Sequence, residues 1–440
     1  MYLTEIAEIV GGKLVNLERD IKVKKFIIDS RKAKEGTFFV PLKGANYDGH
    51  EFISNAVEKG ATGYFSEKTS NIPNGILVEN NLKALTEVGK FKRKKLSKVI
   101  GITGTTGKTT TKELLKLVLS ENFDVYGTEG NYNNEIGVPL TLSNIPENTE
   151  VGVFELGASK KGDIKNLSSI VKQDIAVLTN VGHGHNEKFG SFKDIVEGKG
   201  EIFLNHQFAV LPEFLLPYYE SYVFNYITFG YETDSDIQIL DVKITENGTE
   251  GIIKYKKDQI KLKIPVFHKN IFENIAAVSG VLIGLGLNPI SPLKIIEERF
   301  KGIEGRVKHF KKDNLTIIDD SYNANPVSVK NAIHTLNQLK GNKILVLGDM
   351  LELGDYSQEL HREVGREILK TDIKNVFLYG KEVKEIFDIL KGKKDVKLFE
   401  NKNDISEEIK SNLNGNSSFI WIKGSRSMKM EDIVNNLLEG

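Results

Sequence analysis

The stretch "VIGITGTTGKTTTKELL", Val99 to Leu115, limits what this chain can fold into more than any other segment. A short apolar run that reads as a buried strand leads into Gly104-Thr105-Thr106-Gly107-Lys108-Thr109-Thr110, and then into an amphipathic helical run with Leu114, Leu115, Leu117 and Val118. Strand, glycine turn and helix in that order bring backbone N–H groups and a helix amino terminus to one place, favouring an anion there by roughly 0.3–2 kcal/mol. The strict phosphate-loop pattern asks for one more glycine, separated by four residues from the Gly-Lys-Thr, where this chain has Ile102. The loop is still expected to hold a nucleotide. Lys108 would neutralise the β- and γ-phosphates and the Thr109 hydroxyl would face magnesium. A glycine turn without function is the competing reading, and the strand-to-helix context weighs against it.

The rest of the chain alternates in the same way. With 440 residues, too many for one core, about three domains are expected. Residues 1–80 mix short β-rich runs with one amphipathic stretch, a small α/β domain. Residues 81–304 open on a basic helical connector, "LKALTEVGKFKRKKLSK", whose charges read as a solvated face, and continue as buried strands of a parallel sheet. Alternating apolar and polar residues around Asn247-Gly248 predict an antiparallel β addition to that central, P-loop ATPase-like domain. Residues 305–440 read as a doubly wound, Rossmann-like α/β domain with ligands at the carboxyl ends of its strands.

Sixty basic residues balance sixty acidic ones, so no general attraction to nucleic acid or an anionic membrane is indicated, and small molecules are the expected partners. Cysteine is absent, which excludes disulfides, thiolate metal sites and a cysteine nucleophile. Without a signal-like amino terminus or a membrane-length apolar run, the chain reads as a cytoplasmic protein that does not insert into membranes, and as a monomer.

A metal on a triphosphate needs further oxygen or nitrogen ligands near the ends of neighbouring strands. Glu155 follows "VGVF", and His185 lies past "DIAVLTNVG"; spacing alone does not choose between His185 and His183. Lys199 sits between Gly198 and Gly200, and two glycines in a helix, at about 1 kcal/mol each, point to close approach of another group rather than a plain surface lysine. Asn131, Asn133 and Asn134 in "GNYNNEIGVP" offer donors and acceptors to a phosphate or peptide, with a hydrogen-bonded turn an equal alternative.

Taken together, "GITGTTGKTTTKE", "GNYNNEIGVPLTL", "FELGASKKGDI", "TNVGHGHNEKFGS", "KGEIF", "DDSYNANP", "LGDMLELG" and "KGSRSMKME" resemble the Mur ligases. Within that family they are similar to the type that joins D-alanyl-D-alanine to a UDP-N-acetylmuramoyl tripeptide. The resemblance implies an ATP-dependent amide ligase of cytoplasmic peptidoglycan precursor synthesis, working through an acyl phosphate with two magnesium ions. The family's loop, Gly-Thr-x-Gly-Lys-Thr/Ser, is satisfied from Gly104 to Thr109.

The same resemblance assigns magnesium to Glu155 and His185, and makes Lys199 the lysine that many relatives carbamylate to hold a second ion. It implies that Ser30, Arg31 and Lys43 meet the UDP-sugar, with Asp48 and His50 only ordering a turn. Asn131, Asn133 and Asn134 would line the substrate cleft. Asn274 would stand at the adenine, although the motif upstream of it departs from the family's, and nothing is assigned to His268. Arg306 and Asp320 would reach the ribose or phosphates, and Asn323 and Asn325 the dipeptide or the nucleotide.

The nearest rival is the family member that adds the third amino acid, and a more distant one is folylpolyglutamate synthetase. A GTPase-type switch finds a decoy in "NKND", Asn401 to Asp404, which otherwise reads as a turn opening a helix with Asp404 as its cap. A binding module that kept the fold and lost catalysis is disfavoured, because Lys108, Thr109, Glu155, His185 and Lys199 are all present.

Overall fold

The apolar runs become strands, and where a run is continuous both of its faces are covered. The computed structural model describes residues 1–44, 47–182, 191–413 and 417–439. Contacts divide the chain into two compact units, Met1–Gln238 with Glu273–Pro292 and Ile239–Phe272 with Leu293–Gly440.

In the first unit, β1 (Lys13–Val15), β2 (Lys25–Ile27), β3 (Thr37–Phe39), β4 (Gly63–Ser66) and β5 (Gly75–Leu77) form a sheet in the order β1-β5-β4-β3-β2. It is parallel except for the β1–β5 pair. Its strands alternate sides, with Phe26, Phe38 and Phe65 entering one core and Ile27, Phe39 and Tyr64 the other. Each large side chain so buried contributes about 1.5–3 kcal/mol.

The connector is the helix Asn81–Arg93, capped by Asn80. Ala84, Leu85 and Val88 of this helix share a core with Leu140, and the Ser143 hydroxyl donates to the Leu85 carbonyl at 2.9 Å. Its basic run is not simply a solvated face. Lys92 Nζ donates to the Ile145 carbonyl at 2.9 Å, and burial holds its pKa down to about 8. Arg93 Nε donates to the Val171 carbonyl at 2.8 Å, and its guanidinium pairs with Asp174 at 3.4 Å. Unpaired helix-terminal and loop carbonyls attracted cations that the sequence pattern assigned to water.

The central strands are β6 (Lys98–Thr103), β7 (Val125–Gly127), β8 (Val151–Glu155), β9 (Ile175–Leu178), β10 (Phe208–Pro212) and β11 (Tyr226–Gly230). They lie parallel in the order β7-β8-β6-β9-β10-β11. β12 (Ile237–Thr245) begins by pairing in parallel with β11. After β6 the chain moves two places to one side, and later strands fill the other. The carboxyl end of β6 is therefore a switch point, where α/β sheets hold their ligands. Ile102, the residue that breaks the strict loop pattern, is an interior position of β6, fully buried and paired with Glu155 and Val177.

In the second unit, β13 (Gly248–Tyr255) and β14 (Asp258–Ile264) form the expected antiparallel addition, in register from Thr249↔Ile264 to Tyr255↔Asp258. The second sheet there contains β15 (Lys308–Lys312), β16 (Leu315–Asp320), β17 (Asn342–Gly348), β18 (Asn375–Tyr379), β19 (Asp395–Phe399) and β20 (Ser418–Lys423). Its order is β15-β16-β20-β17-β18-β19, parallel except for the β15 edge. The helix Lys402–Ser411 is capped by Asn401, whose side chain accepts from the Asn403 N–H, and not by Asp404. Asn401 is placed one residue before the first helical N–H groups, whereas Asp404 already lies inside the first turn. Lys402 is tied to Asp432 and to the Lys429 carbonyl, so the guanine-type decoy is a structural turn.

Candidate functional site

The loop after β6 carries two glycines that the geometry demands. Gly104 (φ +151°) and Gly107 (φ +84°) adopt conformations that side chains rarely take. A Cβ on Gly104 would lie 2.0 Å from Thr179 Oγ1, and one on Gly107 would lie 2.4 Å from Asn274 Oδ1. Gly107 caps the helix Lys108–Leu119 without a side-chain hydrogen bond, which leaves the helix amino terminus to an anion.

The end of β9 fastens the loop from the other side. Thr106 N–H donates to Asn180 Oδ1 at 2.9 Å, Asn180 Nδ2 donates to Thr106 Oγ1 at 2.6 Å, and Thr179 Oγ1 donates to the Thr106 carbonyl at 2.5 Å. Lys108 Nζ rests on the Gly104 carbonyl at 2.6 Å. Gly107→Ala should disturb this cradle at a cost of about 1–3 kcal/mol in local strain. The expected result is a KM for ATP raised at least about tenfold with near-native circular dichroism; an unchanged KM would show that the turn tolerates a side chain.

Glu155, at the end of β8, is 1% exposed. Its Oε2 accepts from the Thr109 hydroxyl at 3.2 Å, and its N–H donates to Thr128 Oγ1 at 2.9 Å. Its Oε1 lies 3.2 Å from Lys112 Nζ, an ion pair outside hydrogen-bond geometry. Lys112 was not singled out in the sequence, although a lysine one helical turn after Lys108 shares its face. Thr110, on the first turn of the same helix, is half-buried. Thr111 Oγ1 donates to Asn274 Oδ1 at 3.2 Å, so Asn274 buttresses the loop.

Lys199, on the helix Phe192–Gly200, is 2% exposed. Burial first, and the nearby Lys108 charge second, bring its pKa down to about 7. The reason for Gly200 is visible: a Cβ there would meet Tyr219 Cε1 at 2.4 Å, and the Tyr219 hydroxyl donates to the Val196 carbonyl at 2.7 Å. His183 and His185 lie outside the described residues.

Elsewhere in the first unit, Ser30 opens a short 3-10 turn, and Arg31, largely exposed, makes a two-pronged pair with Asp29 at 2.9 and 3.0 Å. Arg31 hydrogen-bonding holds the Asp29 carboxyl below its ordinary range. Lys43 Nζ pairs with Glu67 at 3.3 Å. Asp48 and His50 do order a turn: Asp48 Oδ1 takes the His50 N–H at 3.0 Å and meets its Nδ1 at 2.6 Å. Asn133 O accepts from the Gly157 N–H at 2.7 Å, and Asn134 Oδ1 takes the N–H groups of Ile136 and Gly137, preparing the helix Gly137–Ser143. Asn131 O accepts from the Asn133 N–H at 2.8 Å.

In the second unit, Asp320 at the end of β16 pairs with Lys423 at the end of β20 at 2.8 Å and accepts from Trp421 Nε1 at 3.2 Å. The Arg306 guanidinium stacks 4.0 Å from the Tyr322 ring centroid, and that of Arg426 lies 5.9 Å from it. Lys423 Nζ also donates to the Asn323 carbonyl at 2.8 Å. Asn325 caps the helix Pro326–Gln338 in a reciprocal box with Ser328.

A glycine loop at a switch point, with a lysine, a threonine and a buried carboxylate around it, defines a phosphate-binding α/β protein of the nucleotide-dependent class. Three family models match in order: the Mur ligase family catalytic domain over residues 22–99, the Mur ligase middle domain over 102–282, and the Mur ligase glutamate ligase domain over 305–426. The chain belongs to the Mur ligase family. It is 38% identical to the UDP-N-acetylmuramoyl-tripeptide--D-alanyl-D-alanine ligase of Bacillus subtilis (strain 168), over 99% of this chain and 97% of that one. Among solved structures, the MurF ligase from Thermotoga maritima in complex with ADP is 31% identical, with a TM-score of 0.83 over 95% of this chain and 97% of that one. A crystal structure of MurF from Acinetobacter baumannii is 27% identical, with a TM-score of 0.91 over 100% and 98%.

Proposed function

We infer that this chain is an ATP-dependent amide ligase that adds D-alanyl-D-alanine to UDP-N-acetylmuramoyl-tripeptide, releasing ADP and phosphate, in peptidoglycan precursor synthesis. The observation that carries this is similarity along the whole chain to ligases of that name, one of them solved with ADP. The loop chemistry agrees with it.

In the reaction, the terminal carboxylate of the tripeptide attacks the γ-phosphorus, and ADP leaves. The dipeptide amine then attacks the acyl-phosphate carbonyl and loses a proton, and the tetrahedral intermediate expels phosphate. Two anions meet in the first step, so fixed positive charge lowers its barrier. Lys108 supplies that charge, the helix amino terminus adds to it, and Gly104 to Thr110 wrap the phosphates. Asn274 is the candidate for the adenine, and Arg306 and Asp320 are the candidates for the ribose or phosphates. The UDP-sugar falls to Ser30, Arg31 and Lys43, the peptide to Asn131, Asn133 and Asn134, and the dipeptide to Asn323 and Asn325. For Asn134 and Asn325 the cap occupies Oδ1 and leaves the Nδ2 donor for a ligand.

The donor set suits magnesium: a hydroxyl, and a buried carboxylate whose Oε2 lies beside it, are hard oxygen ligands. Thr109, Glu155 and His185 would hold one ion, and a carbamylated Lys199 a second. Bound magnesium would neutralise phosphate oxygens. The three-domain division at residues 1–80, 81–304 and 305–440, the monomeric state and the cytoplasmic location belong to the same proposal. No helix among the described residues is long and apolar enough to cross a membrane.

Phosphate release from ATP should require both a UDP-linked tripeptide and D-alanyl-D-alanine. Release with a UDP-linked dipeptide and a free diamino acid, and none with the tripeptide pair, would instead favour the ligase that adds the third residue.

A further inference from the structure

Lys112 is the one lysine on the loop's helix that is fully enclosed, at 1% exposure, and the phosphate chemistry gives it no task. Burying an ammonium is costly unless its charge is paired and its hydrogens are placed. Here the charge is paired twice and one hydrogen is placed. Nζ donates to the Thr128 carbonyl at 2.6 Å, pairs with Glu113 Oε1 at 2.9 Å and pairs with Glu155 Oε1 at 3.2 Å. Thr128 also receives the Glu155 N–H on its hydroxyl. One residue of β7's outgoing turn thus fixes both ends of the contact, the lysine head and the carboxylate's backbone.

The two oxygens of Glu155 are consequently unequal. Oε1 faces Lys112, and Oε2 faces the Thr109 hydroxyl. Glu113 also reaches Lys116, its Oε2 lying 3.5 Å from that Nζ, so Lys112 sits between two carboxylates of which one is anchored by a second lysine. Without Lys112 the buried Glu155 carboxylate would lose the cation that faces its Oε1.

We propose that Lys112 is a positioning residue: anchored by Glu113, it holds the Glu155 carboxylate turned so that Oε2 is presented beside Thr109 to magnesium. This rests on Glu155 being a magnesium ligand, and the test separates the two ideas. Magnesium is titrated into ADP-loaded enzyme and followed by calorimetry, with ADP affinity in EDTA as the metal-free reference. Lys112→Met should require about 10–100-fold more magnesium, the usual effect of removing a residue that orients a ligand. ADP affinity in EDTA should stay within about twofold, and saturating magnesium should restore part of kcat.

Glu113→Gln, at a half-buried position that tolerates the change, removes the second carboxylate and should weaken magnesium several-fold even if Lys112→Met does not fold. Lys112→Arg, which keeps the charge, should recover part of the lost affinity. Should Glu155→Gln shift the magnesium titration while both Lys112→Met and Glu113→Gln leave it in place, the positioning role is wrong. A magnesium titration unmoved by Glu155→Gln would overturn the metal reading itself. Equal loss of ADP affinity with and without magnesium in Lys112→Met would show a merely structural lysine.

Discussion

Lys108→Ala should lower kcat by at least about 10²–10³-fold, the usual consequence of deleting one preorganised group that stabilises transition-state charge. The unfolding midpoint should move little. The loop is held by Thr179, Asn180 and Asn274, and Lys108 donates to the Gly104 and Thr105 carbonyls within it. Its ammonium lies on the Gly104 carbonyl at 2.6 Å, a contact for which a phosphate oxygen would compete. Steady-state phosphate release and a thermal melt on the same preparation decide the matter. Ligation at the wild-type rate would show that the cradle lies elsewhere.

Replacing Lys199 should separate stability from activity. Its pKa falls from an ordinary lysine value to about 7, because burial disfavours the ammonium. The folded chain therefore binds fewer protons than the unfolded chain between about pH 7 and pH 10.5, and stability rises with pH across that window. The burial penalty is complete below about pH 7 and fades toward pH 10.5. Lys199→Met should accordingly raise the unfolding midpoint by a few degrees near pH 7, with a smaller gain near pH 9, while kcat falls by roughly 10–100-fold. The same depressed pKa leaves much of the amine neutral at physiological pH, which is the form that takes up carbon dioxide. Enzyme equilibrated with ¹³C-bicarbonate should show a carbamate carbon signal that Lys199→Met lacks. A destabilised Lys199→Met at pH 7, or a carbamate signal that persists in it, would remove Lys199 from this role.

Much of the fold could be read because its signals are local. The β6–loop–helix unit, the hairpin around Asn247-Gly248 and the parallel strands of the second unit follow from periodicity and turn residues. What escaped depended on contacts between distant segments. Nothing local in "KFKRKKL" says that Lys92 and Arg93 will find the carbonyls of Ile145 and Val171. Spacing could not reveal that Lys112 meets Glu155, 43 positions on. The helix cap at Asn401 rather than Asp404 turned on a shift of one helical turn, which sequence patterns place poorly. Among the site residues, Glu155 stood out because it ends an apolar strand run, and Lys199 because two glycines flank it in a helical stretch.

The seam between the five-stranded sheet and the central sheet has one further consequence. The Asn144 amide takes the Phe26 N–H at 2.8 Å and gives to the Phe26 carbonyl at 3.0 Å, standing in for a missing neighbour strand at the edge of β2. With Leu140 in the amino-terminal core and Ser143 bonded to the connector, a single short helix of the central sheet completes its neighbour. These two parts are modular in sequence but not in thermodynamics. Cutting the chain near residue 80 would not release two independent folds, and an edge left bare by such a cut would become an aggregation surface.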